Sequence, residues 1–436
     1  MKNTFHNPWF SIYSKNWVLN SATRSFPPWV MLWAFIGQAV DPDQSCNQAL
    51  ARIQSHRSQL GLKHVSTDTG GYCKARKRLP EKLFKKLFRI TSRTLTEQAS
   101  EKDLWHGRRV KVVDGSSCSM PDTASNQKAF GQPPGQKPGC GFPTMAFVGV
   151  FCLATGAAVK CALGGWALHD LSLFCLVRTA FETGDILLAD RGFCCYVEVA
   201  LMQRRGVDTV IRMHQRRKQD FRRGRILGIQ DHIIIWNKPP NSPRRIRKKD
   251  FNSISETLEV REIRYRLDIK GYRPQMITLA TTLLDAEVYP PEDLADLYFQ
   301  RWAVELDFRH IKITMQMDVL RCKTAEMIRK EFWCHMLAYN LLRHLMWDAR
   351  QSEKDCHERS SFKGTIQYLI SFRPFYSVTT PLQRDIILMK LFSLILAQQV
   401  PCRPNRFEPR VKKRRPKTYN LMNKPRNELK AALLRT

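Results

Sequence analysis

The chain has 436 residues, of which 71 are Lys or Arg and 39 are Asp or Glu, so its formal net charge at pH 7 is +32. This length allows two or more domains with a buried core, and such an excess of positive charge indicates a polyanionic partner, most simply nucleic acid. The longest apolar run near the start, Pro28 to Val40, is too short to span a bilayer, and Lys2 is followed by polar and aromatic residues rather than a signal peptide. We therefore expect an intracellular protein with no membrane partner.

The 13 cysteines are odd in number and include no Cys-x-x-Cys spacing. Several of them, such as Cys152, Cys161 and Cys175, stand in apolar surroundings. We interpret them as small buried side chains with reduced thiols, which argues against a disulfide or zinc framework.

Residues 1–105 are predicted to be an N-terminal helical region. Its expected segments are residues 29–40, a helix capped by Asp43 or Ser45, a short basic helix over 73–78 after a break at Gly70-Gly71, and a longer helix from Pro80. Two helices with a tight turn and exposed basic residues are compatible with a helix-turn-helix-like contact to DNA. A basic helical bundle without a groove contact fits the pattern equally well.

The periodicity changes at residue 109, where a short β-branched run ends in Asp114, with Gly115 and Ser116 as turn residues. A carboxylate at the end of a buried strand is costly unless it is paired or binds a metal. Further strands are predicted at 145–153, 157–163, 186–189 and 207–213, with helices at 171–183 and 196–203. The run Ile186 to Ala189 is apolar throughout, as in a strand covered on both faces, and it delivers Asp190 at its C-terminal end.

Residues 214–284 are predicted to be a β-rich insertion with a strongly basic surface. Between Arg212 and Lys249 there are 13 Lys or Arg and two Asp, which favours binding to DNA over a merely solvated face. Strands are expected at 232–236, 258–267 and 275–283, and a shift in the alternation at Glu262 predicts a β-bulge. The basic residues that we expect to contact DNA outside the main motifs are Arg191, Arg244, Arg245, Lys248 and Lys249.

The stretch 291–312 is predicted to be one amphipathic helix, because Pro290 and Pro291 precede acidic residues in its first turns and no Gly or Pro follows. Four residues fall on one stripe within roughly 60° of the helical wheel. They are Tyr298, Arg301, Glu305 and Lys312. The neighbouring edge is apolar and is formed by Leu297, Val304, Phe308 and Ile311. An exposed Arg301–Glu305 pair is the simpler interpretation of this stripe, but it does not account for Tyr298 or for the apolar border.

Three further helices are predicted towards the C-terminus, over residues 325–346, 365–372 and 381–398. Residues 351–402 are therefore expected to form C-terminal helices. The tail 403–436 contains 12 Lys or Arg and two Glu, and it is predicted to be an extended arm that follows DNA rather than a packed element.

Two acidic residues at strand ends, Asp114 and Asp190, and a third on a later helix, Glu305, suggest a shared site. Three carboxylates at one sheet edge repel one another and would not all stay ionised without cations. Two Mg²⁺ ions, for which Mn²⁺ could substitute, would resolve this repulsion and activate a water or a 3′-hydroxyl for attack on a phosphate. Arg301 and Lys312 would then hold the DNA backbone.

These motifs resemble those of the DDE transposases of bacterial insertion sequences. VVDGS around Asp114, LLADRGF around Asp190, and the spacing Tyr298-x₂-Arg301-x₃-Glu305-x₆-Lys312 are similar to the three motifs of the insertion-sequence-four group, whose last motif is called YREK. The first motif has Asp-Gly-Ser where many members have Asp-Gly-Thr. The resemblance covers about residues 109–346.

The resemblance implies an α/β fold with a ribonuclease-H-like mixed sheet flanked by helices, within a catalytic domain spanning residues 106–350. It also implies cut-and-paste transposition, with Mg²⁺-dependent cleavage at terminal inverted repeats and strand transfer into target DNA. Asp114, Asp190 and Glu305 would be the metal ligands, and Tyr298, Arg301 and Lys312 would contact DNA near the cleaved phosphate. The expected setting is the cytoplasm, in association with the nucleoid, with a homodimer in the synaptic complex. The alternatives are an inactive basic DNA-binding protein and a host nuclease on the same core.

Overall fold

The computed structural model describes residues 26–135, 137, 139–214, 216–267, 275–352, 360–378, 380–400 and 422–435. The chain divides into two compact units that interleave in sequence. One unit comprises Ser92–Arg309, Asp318–Ala325 and Cys402–Thr436, and it contains the sheet. The other comprises Met1–Thr91, His310–Met317 and Glu326–Pro401, and its described elements are helical.

The sheet of the first unit has nine strands in the order β3-β2-β1-β4-β5-β9-β8-β7-β6. Their bounds are β1 Val110–Ser119, β2 Thr144–Cys152, β3 Ala158–Gly165, β4 Ile186–Ala189, β5 Asp208–Arg212, β6 Arg225–Gly228, β7 Asp231–Asn237, β8 Thr257–Leu267 and β9 Gln275–Thr281. β2 is antiparallel to both of its neighbours, whereas β1, β4 and β5 are parallel to one another. This mixed order confirms the predicted ribonuclease-H-like α/β fold.

The helices of the sheet unit are α5 Ala124–Phe130, α6 Asp170–Val177, α7 Tyr196–Gln203, α8 Lys248–Asn252, α9 Pro291–Gln300, α10 Trp302–Arg309 and α14 Arg426–Leu433. β2 is buried at every position, as expected for a strand with helices on both faces. One face of the sheet packs on α6 and α7, and the core between them includes Leu187, Phe174 and Val197. On α10, the Phe308 ring meets those of Phe147 and Phe151 in β2 at centroid distances of 5.5 and 5.2 Å.

The predicted β-rich insertion continues the core sheet, because β9 pairs antiparallel with β5. The predicted bulge at Glu262 is wrong, since β8 keeps a continuous register with both β7 and β9 through this residue. Glu262 is buried and accepts a hydrogen bond from Trp236 Nε1 at 2.9 Å. The adjacent Arg261 is fully buried against Asp231 at 2.6 Å. The sequence pattern suggested a bulge because Arg261 and Glu262, on opposite faces of β8, are charged residues that are both buried with partners.

The helical unit agrees with the predicted N-terminal and C-terminal helices. Its elements are α1 Pro28–Val40, α2 Cys46–Gln59, α3 Thr69–Arg78, α4 Glu81–Glu97, α11 Ala325–Ser352, α12 Phe362–Val378 and α13 Pro381–Ala397. The last residues of α4, from Ser92, and the first residue of α11, Ala325, belong to the sheet unit. Ser45 caps α2 by accepting from Gln48 N. The predicted break at Gly70-Gly71 is wrong, because α3 begins at Thr69 and both glycines lie in its first turn.

The predicted extended tail is only partly within the described residues, since 401–421 lie outside them. Where it is described, the prediction is wrong: Arg426–Leu433 is a helix that begins after Pro425. Arg426 Nε also donates to Asp122 Oδ2 at 3.3 Å. Across the described ranges, no helix combines the length and the apolarity that a bilayer-spanning segment requires.

A buried ion pair fixes the N-terminal ends of the two central strands. Lys111 Nζ donates to Asp185 Oδ2 at 2.6 Å and to Ala180 O at 2.7 Å, and the two side chains are 3% and 5% exposed. Removing one partner leaves an uncompensated buried charge, which is strongly destabilising. Losing one partner therefore destabilises the fold, although replacing both partners by apolar residues of similar volume need not.

We predict that Lys111→Met lowers the free energy of unfolding by about 3–5 kcal/mol, because Asp185 is left buried without its cation. The urea midpoint followed by circular dichroism measures the change. The matched double variant Lys111→Met/Asp185→Leu should recover most of the loss. An unchanged midpoint for the single variant would contradict this interpretation.

Candidate active site

Asp114 and Asp190 lie side by side at one edge of the sheet. The parallel ladder between β1 and β4 ends with the pair Val113–Ala189, so the two acids occupy the next position on each strand. The prediction that β1 ends at Asp114 is wrong, because residues 115–119 continue the strand by pairing with β2. Asp114 therefore lies where the pairing between β1 and β4 ends, and not where β1 itself ends.

Asp190 is held by the turn that follows β4. It caps the short 3₁₀ helix Arg191–Phe193, and its Oδ1 accepts a hydrogen bond from Gly192 N at 2.9 Å. Asp114 is held in a similar way, with Oδ1 accepting from Gly115 N at 2.8 Å. Each carboxylate is thus oriented by the backbone next to it, with its second oxygen outside that hydrogen bond.

The stretch predicted as one helix is interrupted at Arg301. α9 ends at Gln300, α10 begins at Trp302, and a π-helical segment, His310–Thr314, follows. The predicted apolar edge is nevertheless buried, with Leu297, Val304, Phe308 and Ile311 all below 8% exposure. The packing of Phe308 against β2 places Glu305, one turn earlier, above the β1 edge.

Arg301 joins the acids into one charged cluster. Its Nη2 donates to Glu305 Oε1 at 2.9 Å, and its Nη1 lies 3.9 Å from Asp114 Oδ2. The Arg301 side chain is only 9% exposed, whereas that of Glu305 is 59% exposed. Arg301 Nε is buried, and none of the residues that the structure describes gives it a hydrogen-bond partner. A nearly buried cation therefore stands between two of the three predicted metal ligands.

The electrostatics of Asp114 show that the three acids affect one another. Burial, together with the charges of Asp190 and Glu305, raises the pKa of Asp114 to about 6, against the opposing effects of the Gly115 N–H and Arg301. A carboxyl with this pKa is partly protonated near neutral pH and would be ionised fully by a bound cation.

Three carboxylates are a hard oxygen donor set that suits Mg²⁺ or Mn²⁺. Within the described ranges, no group of three or more His, Cys, Asp or Glu side chains has the geometry to hold a metal ion. At this edge Glu305 is bound to Arg301 instead. The residue types and their mutual repulsion fit a divalent cation, and Glu305 would have to leave Arg301 to take part.

Tyr298 and a second arginine extend the site. Tyr298 is 4% exposed, and the Arg301 guanidinium lies 5.7 Å from its ring centroid. Burial raises the pKa of Tyr298, while the charges of Arg301 and Arg212 lower it. Arg212 ends β5, which is parallel to β4, so it reaches the same sheet edge. The sequence predicted this strand, but Arg212 was not identified as a site residue.

A cavity of about 490 Å³ opens beside these residues. Its polar lining includes Arg191, Arg212, Gln219, Gln230 and Arg264. The Arg264 guanidinium lies 4.5 Å from the Phe221 ring centroid, and Phe221 stacks on His232 of β7. The insertion therefore contributes positive charge next to the predicted catalytic edge.

The other predicted DNA contacts lie in different environments. Arg191, Arg244, Lys248 and Lys249 are exposed. Arg245 is different, because its Nε lies 3.4 Å from Oε1 of the fully buried Glu198, which also pairs with Arg178. This internal ion pair gives Arg245 a structural role that the basic run in the sequence does not reveal. Lys312 lies in the π-helical segment, which belongs to the helical unit.

Comparison with known proteins gives a family match over residues 105–341, described as "Transposase DDE domain". The chain is 25% identical over 401 residues to the transposase InsG for insertion sequence element IS4 of Escherichia coli K12, which covers 91% of this chain and 87% of that protein. It is also 34% identical to the putative transposase InsL for insertion sequence element IS186A of the same organism, over 58% of this chain and 70% of that protein. Among solved structures, a piggyBac transposase synaptic complex with hairpin DNA is 12% identical with a TM-score of 0.43, covering 91% of this chain and 82% of that one.

We predict that Asp114→Asn stabilises the protein above pH 6 and has little effect near pH 4. The pKa of Asp114 is raised from 3.8 to about 6 on folding, so the folded state binds more protons in this window and stability is lost as pH rises through it. The difference between variant and wild type should grow by about 2 kcal/mol from pH 4 to pH 7. Urea unfolding with EDTA present measures it, and parallel pH profiles would contradict it.

Proposed function

We propose, because this chain belongs to the family of transposases with a DDE domain, that it cleaves DNA at the terminal inverted repeats of an insertion sequence and joins the 3′ ends to target DNA. The relationship to the IS4 transposase supports assignment to the insertion-sequence-four group. The observation that carries the proposed chemistry is geometric: Asp114 and Asp190 occupy adjacent positions at the end of the β1–β4 ladder, and Arg301 links Asp114 to Glu305.

In this proposal Asp114, Asp190 and Glu305 hold the divalent cations that the family generally uses, and we infer two Mg²⁺ ions with Mn²⁺ as a substitute. When bound, the ions supply activation of the attacking oxygen and stabilisation of the leaving oxygen. The backbone N–H of Gly115 orients the Asp114 carboxylate, and the backbone N–H of Gly192 orients the Asp190 carboxylate. Phe308 supports the helix that carries Glu305.

Arg301 has two states in this proposal. In the structure it neutralises Glu305 and approaches Asp114. Once cations and DNA bind, its guanidinium moves to a DNA phosphate, for which its bidentate geometry is suited. Tyr298 and Lys312, the other members of the predicted YREK motif, contact the same DNA near the cleaved phosphate.

The remaining positive charge positions DNA along the protein. Arg191, Arg244, Lys248 and Lys249 are exposed, and phosphate contacts of this kind fix register without reading sequence. We assign DNA binding to residues 1–105, catalysis to residues 106–350 with its insertion 214–284, support to residues 351–402, and further DNA binding to the tail 403–436. We also propose a homodimer in the synaptic complex, each copy holding one end, and a place of action at the nucleoid.

We predict that Glu305→Gln reduces Mg²⁺-dependent cleavage of DNA with matched terminal repeats by roughly three orders of magnitude or more, since a metal ligand is lost. Glu292→Gln, which changes an exposed acid in α9, is the matched control and should cleave normally. A gel assay with labelled ends measures cleavage, and filter binding should show retained DNA affinity.

Three outcomes of that experiment would refute parts of the proposal. Undiminished cleavage by Glu305→Gln would remove Glu305 from the site. Equal cleavage of scrambled repeats by the wild type would indicate a nuclease without end specificity. Salt-dependent DNA binding with no cleavage under Mg²⁺ or Mn²⁺ would indicate a DNA-binding protein without catalysis.

We predict that Lys248→Ala/Lys249→Ala makes DNA binding less dependent on salt. The slope of log K against log salt should fall by about 0.9 for every DNA phosphate that the variant no longer neutralises. The matched control is Lys363→Ala/Lys390→Ala, which removes two exposed lysines from the supporting residues 351–402. Fluorescence anisotropy over a range of salt concentrations gives both slopes, and equal slopes in the two double variants would rule out specific contacts by Lys248 and Lys249.

A further inference from the structure

A fourth carboxylate, that of Asp170, lies against the β1 edge. Asp170 is the first residue of α6 and follows β3 by a short loop. A Cβ added to Gly115, the residue after Asp114, would lie 2.4 Å from both Cγ and Oδ2 of Asp170 and 2.6 Å from its Oδ1. The absence of a side chain at Gly115 therefore leaves the space that this carboxylate occupies.

Asp170 approaches the edge from the side of the sheet opposite to Glu305. Side chains alternate between faces along a strand, so Gly115 faces α6, whereas Asp114 faces α10. The Asp170 side chain is exposed, and its pKa is raised first by partial desolvation and then by the charge of Asp190 at the end of β4, with His169 opposing. Among the described residues, no hydrogen bond or ion pair to the Asp170 carboxylate is formed.

An Asp in the first turn of a helix is ordinarily explained by the helix dipole. That explanation accounts for the residue type, but it does not account for the contact with Gly115 or for the proximity to a second acid. The same edge already holds one positive charge on its other face, since Arg301 lies between Asp114 and Glu305 with a side chain only 9% exposed. An uncompensated carboxylate next to such an edge adds to its attraction for positive charge.

We propose that Asp170 is a positioning residue of the divalent-cation site, which strengthens cation binding through its charge and acts on the cation held by Asp190. This inference rests on the proposed function, because it requires a cation at Asp190. Outer groups that hydrogen-bond to a ligand commonly change metal affinity by 10–100-fold, and because Asp170 acts through its charge alone we expect an effect at the lower end of that range. The site would then draw on acids from both faces of the sheet, with Asp170 on one side and Glu305 on the other.

The test is direct Mn²⁺ binding to the full-length protein without DNA, measured from the electron paramagnetic resonance signal of free Mn²⁺. Asp170→Asn should raise the Kd for Mn²⁺ by about tenfold. Glu182→Gln is the matched control, because it removes the same charge from an exposed residue at the opposite end of β4. Asp170→Glu, which keeps the charge, should restore most of the affinity.

The inference fails if Asp170→Asn binds Mn²⁺ within twofold of the wild type, or if Glu182→Gln weakens binding equally. A loss of thermal stability in Asp170→Asn with unchanged Mn²⁺ affinity would assign the residue to the helix dipole alone. Asp170→Ser, which keeps a polar first-turn residue, provides a second folded variant for the same measurement. Asp190→Asn distinguishes a failure of the proposed metal site from a failure of this inference. If Asp190→Asn leaves the Mn²⁺ affinity unchanged, the proposed metal site is wrong. If Asp190→Asn weakens Mn²⁺ binding but Asp170→Asn does not, only this inference is overturned.

Discussion

Repulsion between carboxylates at the end of one parallel ladder is the constraint on which this structure depends. Asp114 and Asp190 are placed side by side because β1 and β4 stop pairing at the same level, and Glu305 is close enough to add to their effect. Such a cluster costs free energy unless positive charge offsets it. Arg301 supplies that charge in the structure, so the cluster is balanced by a residue that is itself suited to bind phosphate.

The same constraint explains the shape of the surrounding elements. The turn at Arg301 separates α9 from α10 and allows one side chain to reach back towards Asp114 and forward to Glu305. The apolar residues on both sides of the turn remain buried, because Leu297 and Val304 pack into the core at 0% and 1% exposure. Core packing thus fixes the two helices, and the charged side chain occupies the interruption between them.

Local patterns in the sequence were sufficient for most of the core, since the apolar run Ile186 to Ala189 is a strand with the bounds that its composition indicates. They failed where distant partners decide the outcome. β1 continues past Asp114 only because β2 pairs with it, and Arg245 resembles its basic neighbours but is paired with a buried Glu198. The contact between Asp170 and Gly115 likewise depends on how α6 folds back over the sheet, which residue spacing alone does not encode.

The pairing of β9 with β5 has a mechanical consequence. Each strand is hydrogen-bonded to the next from β6 at the edge of the basic insertion, through β7, β8, β9 and β5, to β4, whose end carries Asp190. Sliding one strand past its neighbour requires several backbone hydrogen bonds to break together, so a sheet resists shear along its strands. If the insertion binds a duplex as proposed, tension on that duplex would reach the proposed catalytic edge as a displacement of the whole sheet, and the distance between the bound duplex and the scissile bond would be preserved under load.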